Sequence, residues 1–455
     1  MPTSRPPAVA GAFYPADPQA LLTEVSDLLD GVEGFDVRFG YPKVLIVPHA
    51  GYIYSGAAAA HAYDELVRAR GFIRRVVLLG PVHRVAVRGL ALPGVDEFVT
   101  PLGRIPIDAD AVQALAGLPQ VVTSGPAHAM EHSLEVQLPF LQRVLGSFSL
   151  VPLAVGDATP QQVGEVLDVL WGGPETLIVI STDLSHYHAY EEARRIDAET
   201  IARIERLEAG LDHQQACGAT PLNGLLALAQ TKGLSIRRLA ACNSGDTAGG
   251  RGRVVGYSAF ALDEGATVTL SDAGRTLVGL ARASIAHALG LGPLPLAESA
   301  AWLAQPGATF ITLTRESRLR GCIGSLAPQR ALGADVLANA QAAAFRDPRF
   351  PPITAADWPQ VQTEVSLLST ARPIRFADEE DLLRQIVAGE DGLILEAEGR
   401  RGTFLPQVWE QLPDKREFLA HLKHKAGLPA DTRITRCRVL RYRVIKWKQS
   451  DFRFQ

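Results

Sequence analysis

The stretch Lys43-Val44-Leu45-Ile46-Val47-Pro48-His49-Ala50-Gly51 decides the fold, because a short apolar run stops abruptly at a proline and a histidine before a glycine turn. A continuous apolar run of this length suits a strand buried on both faces. The pattern recurs twice. Arg75-Val76-Val77-Leu78-Leu79 runs into Gly80-Pro81-Val82-His83, and Thr176-Leu177-Ile178-Val179-Ile180 runs into Ser181-Thr182-Asp183, with His186 three residues on. In a parallel sheet the residues just beyond the strand ends gather on one rim. His49, His83, Asp183 and His186 are therefore predicted to meet, and such a gathering suggests a metal site.

Outward from these strands, the chain from about residue 20 to 262 alternates apolar runs with helical stretches, predicted over Pro18 to Leu29, Ala57 to Arg70 and Ala189 to Ala209. That alternation predicts a layered α/β module. Val254 to Leu262 reads as its last strand. A break follows at Asp263-Glu264-Gly265, and Ser271 is placed to cap a helix that stops at Gly290. The predicted division is residues 1–264 and 265–455. In the second part, Ala308 to Thr314, Glu364 to Leu368 and Leu393 to Ala397 read as strands, with Gly389-Glu390-Asp391-Gly392 as a turn. An α+β module with an antiparallel sheet fits that rhythm.

The totals agree with two modules: at about 150 residues per domain, 455 residues provide ample core. A net charge of -4 supplies no general attraction to nucleic acid. Cys217, Cys242, Cys322 and Cys437 are widely spaced with no Cys-x-x-Cys pair, which fits a reducing compartment and makes the cytoplasm the expected location. No segment has the length and apolarity of a membrane span.

His49 and His83 offer imidazoles and Cys242 a thiolate after another strand candidate. Two imidazoles and a thiolate leave coordination positions open, as in a reactive metal site. Half-buried structural histidines are the alternative. Asp183 and His186 could serve as orienting carboxylate and general base, or Thr182 or Asp183 could cap a helix. In Glu131-His132-Ser133-Leu134-Glu135, His132 and Glu135 share a face if helical, where they could bind metal or hydrogen-bond within the site. Ser244 to Gly252 is rich in glycine but lacks nucleotide-binding spacing and is read as a loop. In the second part, Arg318-Leu319-Arg320-Gly321-Cys322-Ile323-Gly324 gives Cys322 the electropositive setting of a nucleophile; a small residue in a tight turn is the plainer reading. The basic run from Arg433 to Lys448 reads as an edge strand in preference to an RNA surface.

These residues carry a resemblance. Through Pro7 to Pro15, Pro48 to Tyr52, Leu79 to His83, Glu131 to Pro139 and Ser181 to His186, residues 5 to 262 resemble the Memo-like family. Residues 270 to 450 resemble the AMMECR-type family through Leu319 to Gly324, Asp347 to Pro352, Glu364 to Ser366 and Gly402 to Val408. The whole resembles a fusion of the B and A components of the AmmeMemoRadiSam system, and the resemblance implies a radical SAM protein as partner. It also implies the fold of class III extradiol dioxygenases, with iron or copper held by His49, His83 and Cys242. Cys242 stands where the dioxygenases have a carboxylate, so ring cleavage does not follow from fold alone. The expected function is a metal-dependent redox protein acting on a small molecule or peptide. The rival expectation is a non-catalytic peptide- or protein-binding adaptor.

Overall fold

The computed structural model describes residues 2–32, 39–265, 268–298, 300–429 and 432–453. It divides into two compact units, Met1–Val32 with Tyr41–Thr267, and Glu33–Gly40 with Val268–Gln455.

The first unit is built on a nine-stranded mixed sheet. Its centre is parallel: Val44–Val47, Thr176–Ser181, Arg75–Pro81 and Ser149–Val155 lie side by side in that order. Leu90–Leu92 and Val121–Thr123 extend one side. On the other, Val254–Asp263 runs antiparallel to Val44–Val47 and also pairs with Ser235–Asn243 and His186–His188. Side chains along a strand alternate between faces. Accordingly, Leu45, Val47, Val76, Leu78 and Val179 join one core, while Val44, Ile46, Val77, Leu79 and Ile180 join another.

Helices Pro18–Asp30, Tyr52–Asp64 and Leu138–Leu145 cover the first face. Pro160–Val169, Tyr190–Glu205 and Ala219–Lys232 cover the second. Each of the fully buried Val, Leu and Ile side chains contributes about 1.5–3 kcal/mol, which explains why the runs are apolar without interruption. Two predicted helices move. The one expected from Ala57 starts at Tyr52, where the backbone N–H of Tyr52 donates to Phe13 O, and ends at Asp64 before a separate short turn, Val67–Ala69. The one expected through Ala209 ends at Glu205, shortly before Leu207 turns left-handed at φ 56°.

The second unit is antiparallel, as its rhythm predicts. One sheet has the order Arg318–Gly324, Thr309–Arg315, Val361–Leu368, Val444–Lys448, and a second has Arg372–Pro373, Arg438–Tyr442, Gly392–Ala397, Arg400–Phe404. Helices Leu270–Ala288 and Leu332–Phe345 share a core with Ile311, Leu313, Val365 and Leu367 from the first of these sheets. The first helix is capped by Thr269, whose side chain accepts the Asp272 N–H, and not by Ser271, which lies inside the helix. The basic run is consumed by the fold: Tyr442 and Trp447 are buried, Arg438 pairs with Glu396, and Arg443 pairs with Glu390. The aromatic rings needed to stack RNA bases are not exposed.

Candidate metal centre

Strand register explains the site. Val47 is in register with Ser181, and Leu79 with Ile180, so His49, Asp183 and His83 leave three adjacent parallel strands at nearly one level. His132 joins them from the loop before the short turn Glu135–Gln137. Ligand nitrogens of His49, His83 and His132 all lie within 4.8 Å of one another. The His83 and His132 rings stack at 4.6 Å, and His49 meets both edge-on. His49 is buried, His132 half-buried and His83 exposed, so the group opens to solvent on one side.

The surrounding donors and acceptors fix two of the rings. Ser181 Oγ donates its single hydrogen to Ser133 O and accepts from Gln137 Nε2. Its 2.8 Å contact with His49 Nδ1 is then a bond donated by the imidazole, which leaves the lone pair on Nε2. At His83 the partner is a carboxylate: Nδ1–H donates to Glu131 Oε1 at 2.9 Å, again freeing Nε2. Glu131 also accepts the backbone N–H groups of His83, His132 and Ser133. Burial works against its charge, but these donors prevail and hold it down to about 2. Burial, together with the neighbouring imidazoles, lowers His49 to about 3 and His132 to about 4, so both rings are neutral at pH 7. Neutral imidazoles oriented by a hydroxyl and a carboxylate are what a metal centre requires.

Asp183 lies behind His49. Its Oδ1 accepts the His49 N–H at 2.7 Å, and its Oδ2 is 4.0 Å from His49 Nε2. Burial raises its carboxyl, opposed by that N–H and by His186, His132 and His83. It caps no helix; the chain continues instead into the short strand His186–His188. His188 is drawn towards Glu192, 3.4 Å away.

Cys217, singled out by no motif, is also part of the site. Its Sγ is 3.3 Å from His49 Nε2 and accepts the Asp183 N–H at 3.3 Å. Burial first, and then Asp183, pushes this thiol up to about 12. Gly218 permits the approach, since a Cβ there would fall 2.6 Å from Thr182 Cβ. Only the fold brings Cys217 here, because nothing around it in sequence resembles a ligand motif.

Cys242 lies on the antiparallel strand Ser235–Asn243, opposite Tyr257. Its sulfur is outside the converging group, a place His132 takes among the described residues. Burial and Asp246 raise its thiol to about 11. Glu135 is turned away from the histidines: fully buried, it pairs with Arg5 and accepts the Tyr14 hydroxyl and the N–H groups of Ala8 and Val9. It anchors the N-terminal segment and is not part of the metal group; the turn there separates it from His132. Cys322 belongs to the second unit.

A family model described as Memo-like protein matches residues 5–261. This chain belongs to the Memo-like protein family. Residues 278–447 match the AMMECR1 family, so the Memo-like domain is joined to an AMMECR1 domain in one chain. A MEMO1 family protein of Aquifex aeolicus is 36% identical over 56% of this chain and 97% of its own length. Another, of Methanopyrus kandleri, is 38% identical over 57% of this chain and 99% of its own. Both correspond to the Memo-like part alone in extent. The crystal structure of the uncharacterized protein PH0010 from Pyrococcus horikoshii is 33% identical, covering 38% of this chain and 90% of its own, with a TM-score of 0.35. No helix among the described residues is long and apolar enough to cross a membrane.

Proposed function

We propose that the Memo-like unit is a metal-dependent redox protein, with iron or copper held by His49 and His83 and a third ligand from the same rim. The observation that carries this reading is the convergence of His49, His83 and His132, two of whose rings have Nε2 freed by fixed partners. Imidazole donors suit both iron and copper. Bound there, the metal supplies Lewis acidity and one-electron redox chemistry. The protein's own residues do the rest. Ser181 and Glu131 hold the ring planes, Asp183 orients His49 through its backbone, and His186 moves a substrate proton while Asp183 balances the charge. The exposed side of His83 admits a small molecule or peptide. An extradiol dioxygenase-like fold is part of this proposal.

His132 is the third ligand favoured by distance. A second reading keeps Cys242, the ligand that the family resemblance implies. It is supported by Tyr257, which stands directly opposite Cys242 on the paired strand and whose hydroxyl is raised by burial and then by Asp183, relating that thiol to the same rim. Elemental analysis of the anaerobically purified full chain tests both. One iron or copper per chain is expected, lost in His49→Ala and His83→Ala; unchanged metal content in those variants defeats the proposal. Loss in His132→Ala or in Cys242→Ser identifies the third ligand.

The rival is an adaptor for a radical SAM partner. Two family domains in one chain favour it, because linkage raises their effective concentration for a shared partner. An adaptor keeps that partner in a pull-down when both His49 and His83 are alanine.

A further inference from the structure

The second unit closes one edge of its first sheet and leaves the other open. On one side Arg318–Gly324 is outermost. The Ser325 N–H bonds inward to Thr309 O, and alternation along the strand then turns the backbone of Cys322 outward. Both outward groups of Cys322 are taken: Asp347 accepts its N–H at 2.8 Å, and Arg349 donates to its carbonyl at 3.1 Å. On the other side Val444–Lys448 is outermost, and it continues Arg438–Tyr442 of the second sheet through Arg443.

One flank of this long run is paired with Val361–Leu368, with Ser369, whose N–H donates to Arg443 O, and with Arg372–Pro373. The other flank is paired with Gly392–Ala397 only as far as Tyr442. The Ile374 N–H donates to Val439 O and the Ser369 N–H to Arg443 O, so Val439, Arg441, Arg443, Ile445 and Trp447 turn their backbone groups to the first flank. Val444 and Lys446 therefore turn theirs to the second, where none of their four N–H and C=O groups has a partner among the described residues. Asp451 accepts the Lys448 N–H at 2.7 Å and bounds the open stretch at its far end. Val444 and Lys446 also line a cavity of about 600 Å³ together with Pro406, Trp409 and Pro413. Arg443 is paired there with Glu390, whereas the Lys446 ammonium has no hydrogen bond or ion pair among the described residues. Open N–H and C=O groups beside a cavity are what an extended peptide adds to as a further strand. Lysine on such an edge works against pairing with a second copy, and it favours a strand with an acidic residue opposite it.

We propose that this edge and cavity form a docking slot for a short extended peptide, which pairs antiparallel with residues 444–446 on the flank that Gly392–Ala397 occupies further along. Two residues of the peptide exchange backbone hydrogen bonds with Lys446 and Val444. The one opposite Lys446 is acidic, and the one opposite Val444, two positions later, is apolar. The residue between them turns its N–H and C=O away from the edge.

The peptide acetyl-Thr-Glu-Thr-Val-Thr-amide tests this on the full chain, by calorimetric titration and by backbone hydrogen exchange read residue by residue. Saturable binding at millimolar peptide is expected, with slowed exchange at the Val444 and Lys446 N–H groups. Methylating the peptide nitrogen of Val, which donates to Val444 O, should weaken binding about tenfold. Methylating that of the central Thr, which faces away, should leave binding nearly unchanged. Lys446→Glu should weaken binding about fivefold, the effect of turning an opposite-charge cross-strand pair into a like-charge one. The same peptide with Lys in place of Glu should bind that variant more tightly than it binds the original chain. Absence of saturable binding, equal losses from the two methylations, or unslowed exchange at Val444 and Lys446 overturns the proposal. Slowing at those two amides that grows with protein concentration alone assigns the edge to a second copy, and overturns it as well.

Discussion

The two units present their candidate groups at different margins of a sheet. In the Memo-like unit the strands are buried on both faces, so His49, His83 and Asp183 lie beyond the strand ends, where polar atoms can escape the core. In the AMMECR1 unit the open backbone groups of Val444 and Lys446 lie along the flank of a strand, past the point where pairing with Gly392–Ala397 stops at Tyr442. Parallel register collects side chains by their distance past a strand end; an antiparallel edge presents backbone groups in alternation along its length. The two arrangements should respond differently to mutation.

The largest expected difference is in metal content. His49→Ala with His83→Ala should weaken iron or copper binding by well over a hundredfold, beyond the ~10–100-fold cost of losing an outer partner. Cys322→Ser should leave it unchanged, and a metal titration of the two proteins checks both. If Cys322→Ser removes the metal, the separation of roles fails.

Acid should also divide the units. His128 is buried, its Nε2–H donates to Ala91 O at 2.7 Å, and it is lowered to about 4 chiefly by burial. Above about pH 6.5 both folded and unfolded states leave it neutral. Between about 6.5 and 4 the unfolded chain takes a proton that the folded chain refuses, so stability falls as pH falls through that window. The loss attributable to His128 approaches about 3 kcal/mol by pH 4. In the second unit His287, His421 and His424 are exposed. Urea unfolding monitored separately for each unit should show acid sensitivity concentrated in the first, and reduced in His128→Gln.

Glu131→Gln comes next. It keeps the shape but removes the charge that four donors share, and a roughly 10–100-fold loss of metal affinity is expected. An unchanged dissociation constant would mean that the His83 orientation is set elsewhere. The smallest effect distinguishes cap from neighbour in the second unit: Thr269→Ala should cost about 1 kcal/mol, while Ser271→Ala stays within about 0.5 kcal/mol. Equal losses in urea melts would contradict the observed cap.

Much of this was legible in the chain. The apolar runs ending at His49, His83 and Asp183 identified both the buried strands and the rim, because burial on two faces leaves a compositional trace and strand ends are where polarity returns. The short turn at Glu135 was not legible: His132 and Glu135 share a face only in a regular helix, and the 3₁₀ geometry sends one to the histidines and the other to Arg5. Helix starts at Tyr52 and Leu270 depended on a distant acceptor and on which of two hydroxyl residues faced the free N–H groups.

What the sequence determined by itself, then, was the buried apolar strands Val44–Val47, Arg75–Pro81, Thr176–Ser181 and Val254–Asp263, the antiparallel rhythm of the second part, and the strand-end histidines, all of which follow from periodicity along the chain. Tertiary structure alone decided that Cys217 would lie against His49 and that His132, more than Cys242, would close the nitrogen cluster. It alone set Gly392 opposite Tyr442, where that pairing stops. These contacts join residues tens to well over a hundred positions apart, and the local pattern around each one is the same whether or not the fold brings its partner near.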